Sequence, residues 1–513
     1  MAEHTLSSLL AGTRIMKTRG NADTPVGGIS YDSRRVSRGD VFFAIEGEHT
    51  DGHRYISDAL SAGAAAIVHS KRIRASTPDV PCIHTDSPRR ALSAAAAALY
   101  GHPSKSMYCV GITGTDGKST TTYMLYQILC ALGIRAGFLS TVYVDTGTGV
   151  RKNPLRQSTP EAPEVHALLA EMRDNGMTHA VVEATSHGLS EKTHRLTDIW
   201  WKGAVMTNIN HEHLEFHGSF ERYLYDKTRL FSGLERVPDV DAGGGEPFGD
   251  FAVINSDDPN ASAFQNATNR RLFLYSPSGS PADVRARSVQ TGPDGIRFTV
   301  EVEGGRHEAF IPLAGVFNVA NALAAVIAAH RATGHSWETV IGTLPGVTPL
   351  PGRMQQIDES QGFSVIVDFA HTPASFEQVL PAAIAETEGR LIVVFGSAGE
   401  RDTQKRKLQG QVADQYADTI ILTDEDPRGE DPRKILDDIA SACKHHRNGE
   451  NLHLVPDRRE AIRRALSLAS AGDTVLLLGK GHESSIIYHN RTVEWDEAGV
   501  AREILNDMGY RNG

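Results

Sequence analysis

The chain has 513 residues, 40% of them hydrophobic and 22% charged, an ordinary globular composition with room for about three domains. Its formal charge of −11, from 52 Lys and Arg against 63 Asp and Glu, argues against a broad nucleic-acid-binding or anionic-membrane surface and confines any anionic substrate to a local basic pocket. The four cysteines share no CxxC spacing, no run approaches the roughly 20 apolar residues of a membrane span, and the N-terminus lacks a signal-peptide core, so a reduced cytoplasmic enzyme without membrane insertion is expected.

Residues 1–105 alternate strand-like runs (Val41–Ile45, Ala65–His69) with an Ala-rich helical stretch (Arg89–Leu99). Gly and Pro in GHPSK (101–105) break both periodicities and mark a linker. A strand (Met107–Thr113), a Gly-rich turn and a helix (Thr120–Leu132) then open a second unit, with further strands at His179–Glu183 and Ala204–Asn208. This alternation reads as a parallel α/β sheet. PDVDAGGGEPFGD (238–250) has the composition of a surface insertion, Arg287–Phe310 that of antiparallel strands, and Asn318–His330 that of an Ala-rich helix. After the Pro/Gly-rich LPGVTPLPGRM (344–354), strands at Ser364–Asp368, Leu391–Phe395, Thr419–Leu422 and Thr474–Leu478 form another α/β unit of the doubly wound kind. The expected fold is α/β in three domains: an N-terminal α/β domain (1–105), a central P-loop-type parallel-sheet ATPase domain (106–346) and a C-terminal Rossmann-like domain (347–513).

The sharpest motif is Tyr108-Cys-Val-Gly-Ile-Thr-Gly114-Thr115-Asp116-Gly117-Lys118-Ser119-Thr120. Glycines let backbone N–H groups approach phosphate oxygens, and the helix N-terminus adds partial positive charge. Lys118 suits the β/γ-phosphates, and the hydroxyl of Ser119 or Thr120 suits Mg²⁺. The general P-loop pattern asks for Gly where this chain has Ile112; the bland alternative is a turn that caps a helix. Glu183, at the end of a strand, is placed to hold Mg²⁺, although alone it reads equally as a solvated or capping acid. His211, His213 and His217 match no common zinc spacing.

Gly114–Thr120 is similar to the Gly-Thr-Asn-Gly-Lys-Thr loop of the Mur ligases, with Asp116 for Asn. Glu183-Ala-Thr-Ser186-His187 resembles the family's Glu-Val-Ser-Ser-His. Asn208 to Gly218 resembles its Asn-Leu-x-x-Asp-His-Leu-Asp-x-His-Gly block, and Ser158-Thr159-Pro160 its Thr-Thr-Pro loop. Further segments follow in family order: Gly315-Val-Phe-Asn318-Val-Ala-Asn321, Pro351-Gly-Arg353-Met354, Asp368-Phe-Ala-His371, Gly396 to Arg406 with Arg401, and Gly479-Lys-Gly-His-Glu483. Tyr31-Asp-Ser33-Arg34 and Asp51-Gly-His53 resemble the uridine-binding elements of the tripeptide-forming branch.

The resemblance covers nearly the whole chain. It implies a monomeric ATP-dependent ligase that joins a free amino acid to UDP-N-acetylmuramoyl-L-alanyl-D-glutamate through an acyl phosphate, the N-terminal domain binding the uridine. It implies ATP contacts from Gly114, Thr115, Asp116, Gly117, Lys118, Ser119, Thr120, Asn318, Asn321, Arg353, Asp368 and His371. Two Mg²⁺ ions would be held by Ser119, Glu183, His213 and a carbamylated Lys227, although spacing alone makes Lys227 a surface helix lysine. Lys118, His187, Lys227 and Arg401 are the implied catalytic set. The implied substrate contacts are Ser33, His53, Ser158, Thr159, Ser186, Arg195, Arg401, Glu425, Asp426, Arg428, Gly479 and Glu483.

Glu425-Asp426-Pro427-Arg428 stands where diaminopimelate-adding members carry Asp-Asn-Pro-Arg. An Asn-to-Asp change adds a charge and removes a donor. Asp426 then attracts a side-chain ammonium and repels a distal carboxylate, or pairs with Arg428 and neutralises it. Either effect favours lysine or ornithine, with meso-diaminopimelate still open. The competing readings are a folylpolyglutamate-type ligase, a non-catalytic ATP-binding switch on the same fold, and a P-loop kinase, which Ile112 disfavours.

Overall fold

The structure is a computed structural model and describes residues 4–47, 50–71, 79–153, 159–210, 214–236, 249–292 and 294–511. The chain forms two compact units, one built mainly from residues 1–276 and the other mainly from 285–323 and 341–513.

The first unit carries two sheets. The smaller has the strand order Ile15–Arg19, Cys82–Thr85, Ala66–His69, Asp40–Phe43, Gly28–Ser30, parallel except for its first, exposed edge strand. The larger contains Ala136–Leu139, His179–Glu183, Tyr108–Thr113, Gly203–Met206, Phe251–Asn255 and Arg271–Ser276 in that order, all parallel. Tyr143–Asp145 and Arg151–Lys152 add an antiparallel edge. These parallel strands are nearly continuous buried apolar runs, as a sheet covered on both faces requires. Tyr108–Thr113 lies between the two strands that end in Glu183 and Met206, so its C-terminal turn opens where the strand order switches direction.

Two of the boundaries that differ from the sequence expectation bear on the phosphate loop. The helix after the Gly-rich turn begins at Lys118, two residues early, because Gly117 takes the left-handed φ of 80° and turns the chain directly into it. The strand expected to end at Asn208 ends at Met206, because Thr207 and Asn208 leave the ladder to bind the Gly-rich turn. Most of the expected insertion (238–248) lies outside the described residues.

The second unit has a six-stranded sheet in the order Gln355–Ile357, Ser364–Asp368, Thr474–Leu478, Leu391–Phe395, Thr419–Leu422, Leu452–Leu454, parallel after its antiparallel first strand. Buried side chains cover both faces, with Phe376, Leu380 and Ile439 on one and Ile462, Leu466 and Ile504 on the other. The expected antiparallel segment runs as Val284–Gly292, Gly295–Val302 and Gly305–Ile311, and the Ala-rich helix as Asn318–Thr333.

Candidate active site

The Gly-rich turn is held by side chains from the neighbouring strand end. Thr207 Oγ1 donates to the Asp116 carbonyl at 2.6 Å and Asn208 Nδ2 donates to the same oxygen at 3.1 Å. Asp116 N–H donates to Asn208 Oδ1 at 2.9 Å. Gly114 has φ 151°, and a Cβ there would lie 1.8 Å from Thr207 Oγ1, so only glycine fits this approach. Thr115 shares a 2.7 Å hydroxyl contact with Tyr223. Lys118 Nζ donates to the Thr115 carbonyl at 2.6 Å and so curls over its own loop.

Ser119 and Glu183 are buried together, Ser119 Oγ donating to Glu183 Oε2 at 2.9 Å. The same carboxylate oxygen accepts the Thr141 N–H at 2.8 Å. Hydroxyl and carboxylate oxygens are the hard donors that Mg²⁺ takes, so this pair fits that ion.

Lys227 lies in the helix Phe220–Ser232 and is 1% exposed, which rules out the surface-lysine alternative. Leu230, one turn on, packs where a Gly111 Cβ would sit, 2.5 Å from its Cδ1. This contact seats the helix on the central strand. Lys227 Nζ donates to the Gly114 carbonyl and lies 4.7 Å from the centre of the Tyr223 ring. His187, in the short helix Ser186–Leu189, packs tilted against Phe216 at 4.1 Å between ring centres and lies edge-on, at 5.5 Å, to His217. His217 in turn bonds Asp226 at 2.9 Å, both side chains fully buried. His213 and Ser158 lie outside the described residues.

Thr159 and Ser186 are joined through Thr185, whose hydroxyl contacts Thr159 Oγ1 at 2.7 Å and caps the Ser186 helix by accepting the Gly188 N–H at 3.1 Å. Arg195 donates to the Thr159 carbonyl at 2.9 Å and to Glu161 at 2.7 Å. Ser33 starts a 3-10 turn capped by Asp32. His53 is engaged within its own chain: Nδ1 meets Asp51 at 2.6 Å, and Nε2 accepts the Ser70 and Lys71 N–H groups at 3.2 and 3.3 Å.

The second unit brings together most of its own expected residues. Asn321 donates to Asn318 Oδ1 at 2.9 Å, and Asn318 to the Ala314 carbonyl at 2.7 Å. Asp368 accepts the Met354 and Ala370 N–H groups, each at 2.7 Å, tying the Pro-Gly-Arg-Met segment to the Asp-Phe-Ala-His segment. Arg353 lies 4.7 Å over the Phe369 ring, which also packs against His371 at 4.6 Å. Arg401 is exposed on the bend after Glu400.

Lys480, fully buried, donates to Asp426 Oδ1 at 2.9 Å and to Glu483 at 2.5 Å. Asp426 therefore pairs with Lys480 and not with Arg428, whose backbone takes a left-handed φ of 55° and donates its N–H to the Ile487 carbonyl at 2.9 Å. Glu425 is buried beside Gly479, where a Cβ would lie 3.1 Å from Glu425 Oε2, and this oxygen has no hydrogen-bond partner among the described residues. Burial pushes the Glu425 and Glu483 carboxyls up, and Asp424 up to about 6. Asp426 and Glu483 thus share one buried lysine. Sequence reading gave no role to Thr207, Asn208, Glu161 or Lys480; Asn208 and Lys480 stood inside the motifs and Thr207 and Glu161 directly beside them, which was the available signal.

Three family descriptions match the chain: the Mur ligase middle domain over residues 112–329, the Mur ligase glutamate ligase domain over 352–481, and the Mur ligase family catalytic domain over 25–100. A UDP-N-acetylmuramyl-tripeptide synthetase of Treponema pallidum is 43% identical across 97% of this chain and 96% of its own length. The chain belongs to the Mur ligase family. A Roseiflexus protein of the same description is 46% identical across 94% of this chain and 95% of its own. A UDP-N-acetylmuramoyl-L-alanyl-D-glutamate–2,6-diaminopimelate ligase of Geobacillus kaustophilus is 37% identical across 96% of each chain. A solved structure of a ligase of that last description superposes with TM-score 0.66, 28% identity and 99% coverage of both chains. A Mycobacterium tuberculosis folylpolyglutamate synthase shares the fold, with TM-score 0.63, 18% identity and coverage of 81% of this chain and 95% of its own. As a Mur ligase this chain is an ATP-dependent amide ligase, a peptide synthase, with the three-part α/β architecture of the family. Among the described residues no helix is long and apolar enough to cross a membrane.

Proposed function

We propose that this Mur ligase adds lysine or ornithine to UDP-N-acetylmuramoyl-L-alanyl-D-glutamate in peptidoglycan synthesis. The acceptor reading is supported by relatives described as tripeptide synthetases that match along almost their full length. The choice of amino acid rests on one observation: Asp426 and Glu483 both bond the buried Lys480, with Glu425 buried beside them in the field of Lys405, Lys480 and Arg458. The added carboxylate of Asp426 favours a side-chain ammonium over a distal carboxylate.

In this reading the acceptor's carboxylate oxygen attacks the γ-phosphorus of ATP, giving an acyl phosphate and ADP. The incoming amine then attacks the acyl carbon, the C–O bond to phosphate breaks, and the amine loses a proton as inorganic phosphate leaves. The 114–120 loop binds the phosphates through its N–H groups, and Lys118 swings from the Thr115 carbonyl to neutralise them. Ser119, Glu183, His213 and a carbamylated Lys227 would hold two Mg²⁺ ions, which supply charge neutralisation. Carbamylation would exchange an ammonium for a carboxylate beside the Gly114 carbonyl. Ser33 and His53 serve the uridine end, His53 by shaping the turn it ties together. Ser158, Thr159, Ser186 and Arg195 serve the peptide end, with His187 positioning it. Asn318, Asn321, Arg353, Asp368 and His371 serve the nucleotide. Arg401, Arg428, Gly479 and Glu483 serve the incoming amino acid. Domain boundaries fall at 105/106 and 346/347, and the enzyme acts as a cytoplasmic monomer.

The test is phosphate release from ATP with this acceptor and lysine, ornithine or meso-diaminopimelate in parallel. Release driven by lysine or ornithine supports the proposal. Strong preference for meso-diaminopimelate overturns the specificity, and no release with any of the three overturns the acceptor.

A further inference from the structure

Two acids at the start of the helix Ala162–Asp174 reach contacts that belong to opposite ends of the acceptor. Glu161 occupies the N-cap position, yet its side chain makes no capping bond. It accepts Arg195 at 2.7 Å and Arg89 at 3.3 Å instead. Glu164, one turn later on the same face, accepts the Tyr31 hydroxyl at 2.9 Å and lies 3.5 Å from Arg35. Tyr31 and Arg35 flank Ser33, the expected uridine contact. Arg195 spans the Thr159 carbonyl and Glu161, on the peptide side.

The burial of these groups separates structure from decoration. Arg195 and Glu161 side chains are 14% and 12% exposed, and Glu164 is 20% exposed, so their bonds are shielded from water. Arg35 is 68% exposed and adds little. Burial, reinforced by the Glu164 carboxylate, pushes the Tyr31 phenol above its ordinary range and keeps it a donor. At the other end two guanidiniums share the single charge of Glu161, and Arg195 Nε is buried with no partner among the described residues. A net positive charge with an unused donor is left for an anionic group.

We infer that Glu161 and Glu164 are positioning residues that act as a brace, fixing the separation between the Ser33 turn and Arg195 and so selecting acceptors by the span from their nucleotide to their anionic peptide end. This inference rests on the acceptor proposed above. The helix is the rigid spacer, and neither acid needs to touch substrate. Loss of either bond lets one anchor drift, which weakens acceptor binding while leaving the phosphate loop and the chemistry in place.

The test is steady-state kinetics of the full-length enzyme with Tyr31→Phe, Glu164→Gln and Tyr31→Phe/Glu164→Gln. Each keeps the side-chain shape, and Tyr31→Phe serves if Glu164→Gln folds poorly. For Tyr31→Phe and the double variant the expected result is an acceptor KM raised about tenfold, the loss of one charge-assisted hydrogen bond, and for Glu164→Gln a smaller rise from the lost charge, with kcat and the ATP KM within about twofold throughout. Glu164→Gln leaves an amide oxygen that still accepts the Tyr31 hydroxyl and loses only the charge, so the double variant should be no worse than Tyr31→Phe, which removes the bond outright. An unchanged acceptor KM, additive effects, or an equal rise in the ATP KM overturns the brace. Wild-type enzyme that ignores this acceptor overturns the functional proposal instead, so the two failures are distinct.

Discussion

Ser119, in the first turn of the helix that follows the phosphate loop, donates a 2.9 Å hydrogen bond to Glu183 at the end of the adjacent parallel strand. The two residues are 64 positions apart, yet they form one buried hydroxyl–carboxylate pair, and the Thr141 N–H fixes the same oxygen. Replacing the carboxylate by an amide keeps the shape and removes the charge.

Glu183→Gln should therefore lower kcat by about 10²–10³-fold and shift the Mg²⁺ titration of phosphate release to higher concentration. The unfolding midpoint should move little. Wild-type-like Mg²⁺ dependence would mean that Glu183 does not serve the metal.

Asp426→Asn tests the specificity with little structural disturbance. Both bonds to Asp426, from Lys480 at 2.9 Å and from the Ile487 N–H at 3.0 Å, end on the same oxygen, Oδ1. An amide oxygen there keeps both while one negative charge is lost. The ratio of kcat/KM for lysine or ornithine to that for meso-diaminopimelate should fall about tenfold, roughly the weight of one shielded charge contact. An unchanged ratio would remove Asp426 from the specificity argument.

His166 gives a pH signature. It is fully buried in the helix Ala162–Asp174, and both ring nitrogens lack hydrogen-bond partners among the described residues. Burial pushes its pKa from 6.5 down to about 4, with Asp198 opposing and His102 assisting. Between those values the unfolded chain binds more protons than the folded one, so stability is lost as pH falls from about 6.5 to about 4. The full gap corresponds to roughly 3 kcal/mol. His166→Phe should remove this component. Comparing urea midpoints of variant and wild type at pH 7 and pH 5 isolates it from Asp424, whose raised pKa of about 6 acts with the opposite sign.

Arg458 and Glu497 are both fully buried and meet at 2.6 Å, with Arg458 also donating to the Asp424 and Leu478 carbonyls. Glu497→Gln should cost about 3–5 kcal/mol by leaving the guanidinium charge uncompensated, read as a lowered denaturant midpoint. Replacing both by apolar residues should recover part of that loss, although Arg458 also steadies the Asp424 carbonyl.

Elements whose signal is local were legible before any tertiary contact. The strands His179–Glu183, Ser364–Asp368 and Thr474–Leu478 have the bounds that their apolar runs predict, because a strand buried on both faces needs only a continuous hydrophobic stretch. The phosphate loop was equally legible, since its glycines, lysine and hydroxyls act within seven consecutive residues. Tertiary structure alone decided which charges meet. Asp426 was read against its neighbour Arg428 but pairs with Lys480, 54 positions away, and Lys227 was read by spacing as a surface lysine but is buried. Glu164 finds Tyr31 across 133 positions. Side-chain periodicity reports which face of an element is apolar. It carries no information about which distant element that face will meet, and the partner of a buried charge is fixed only when the sheets and helices pack.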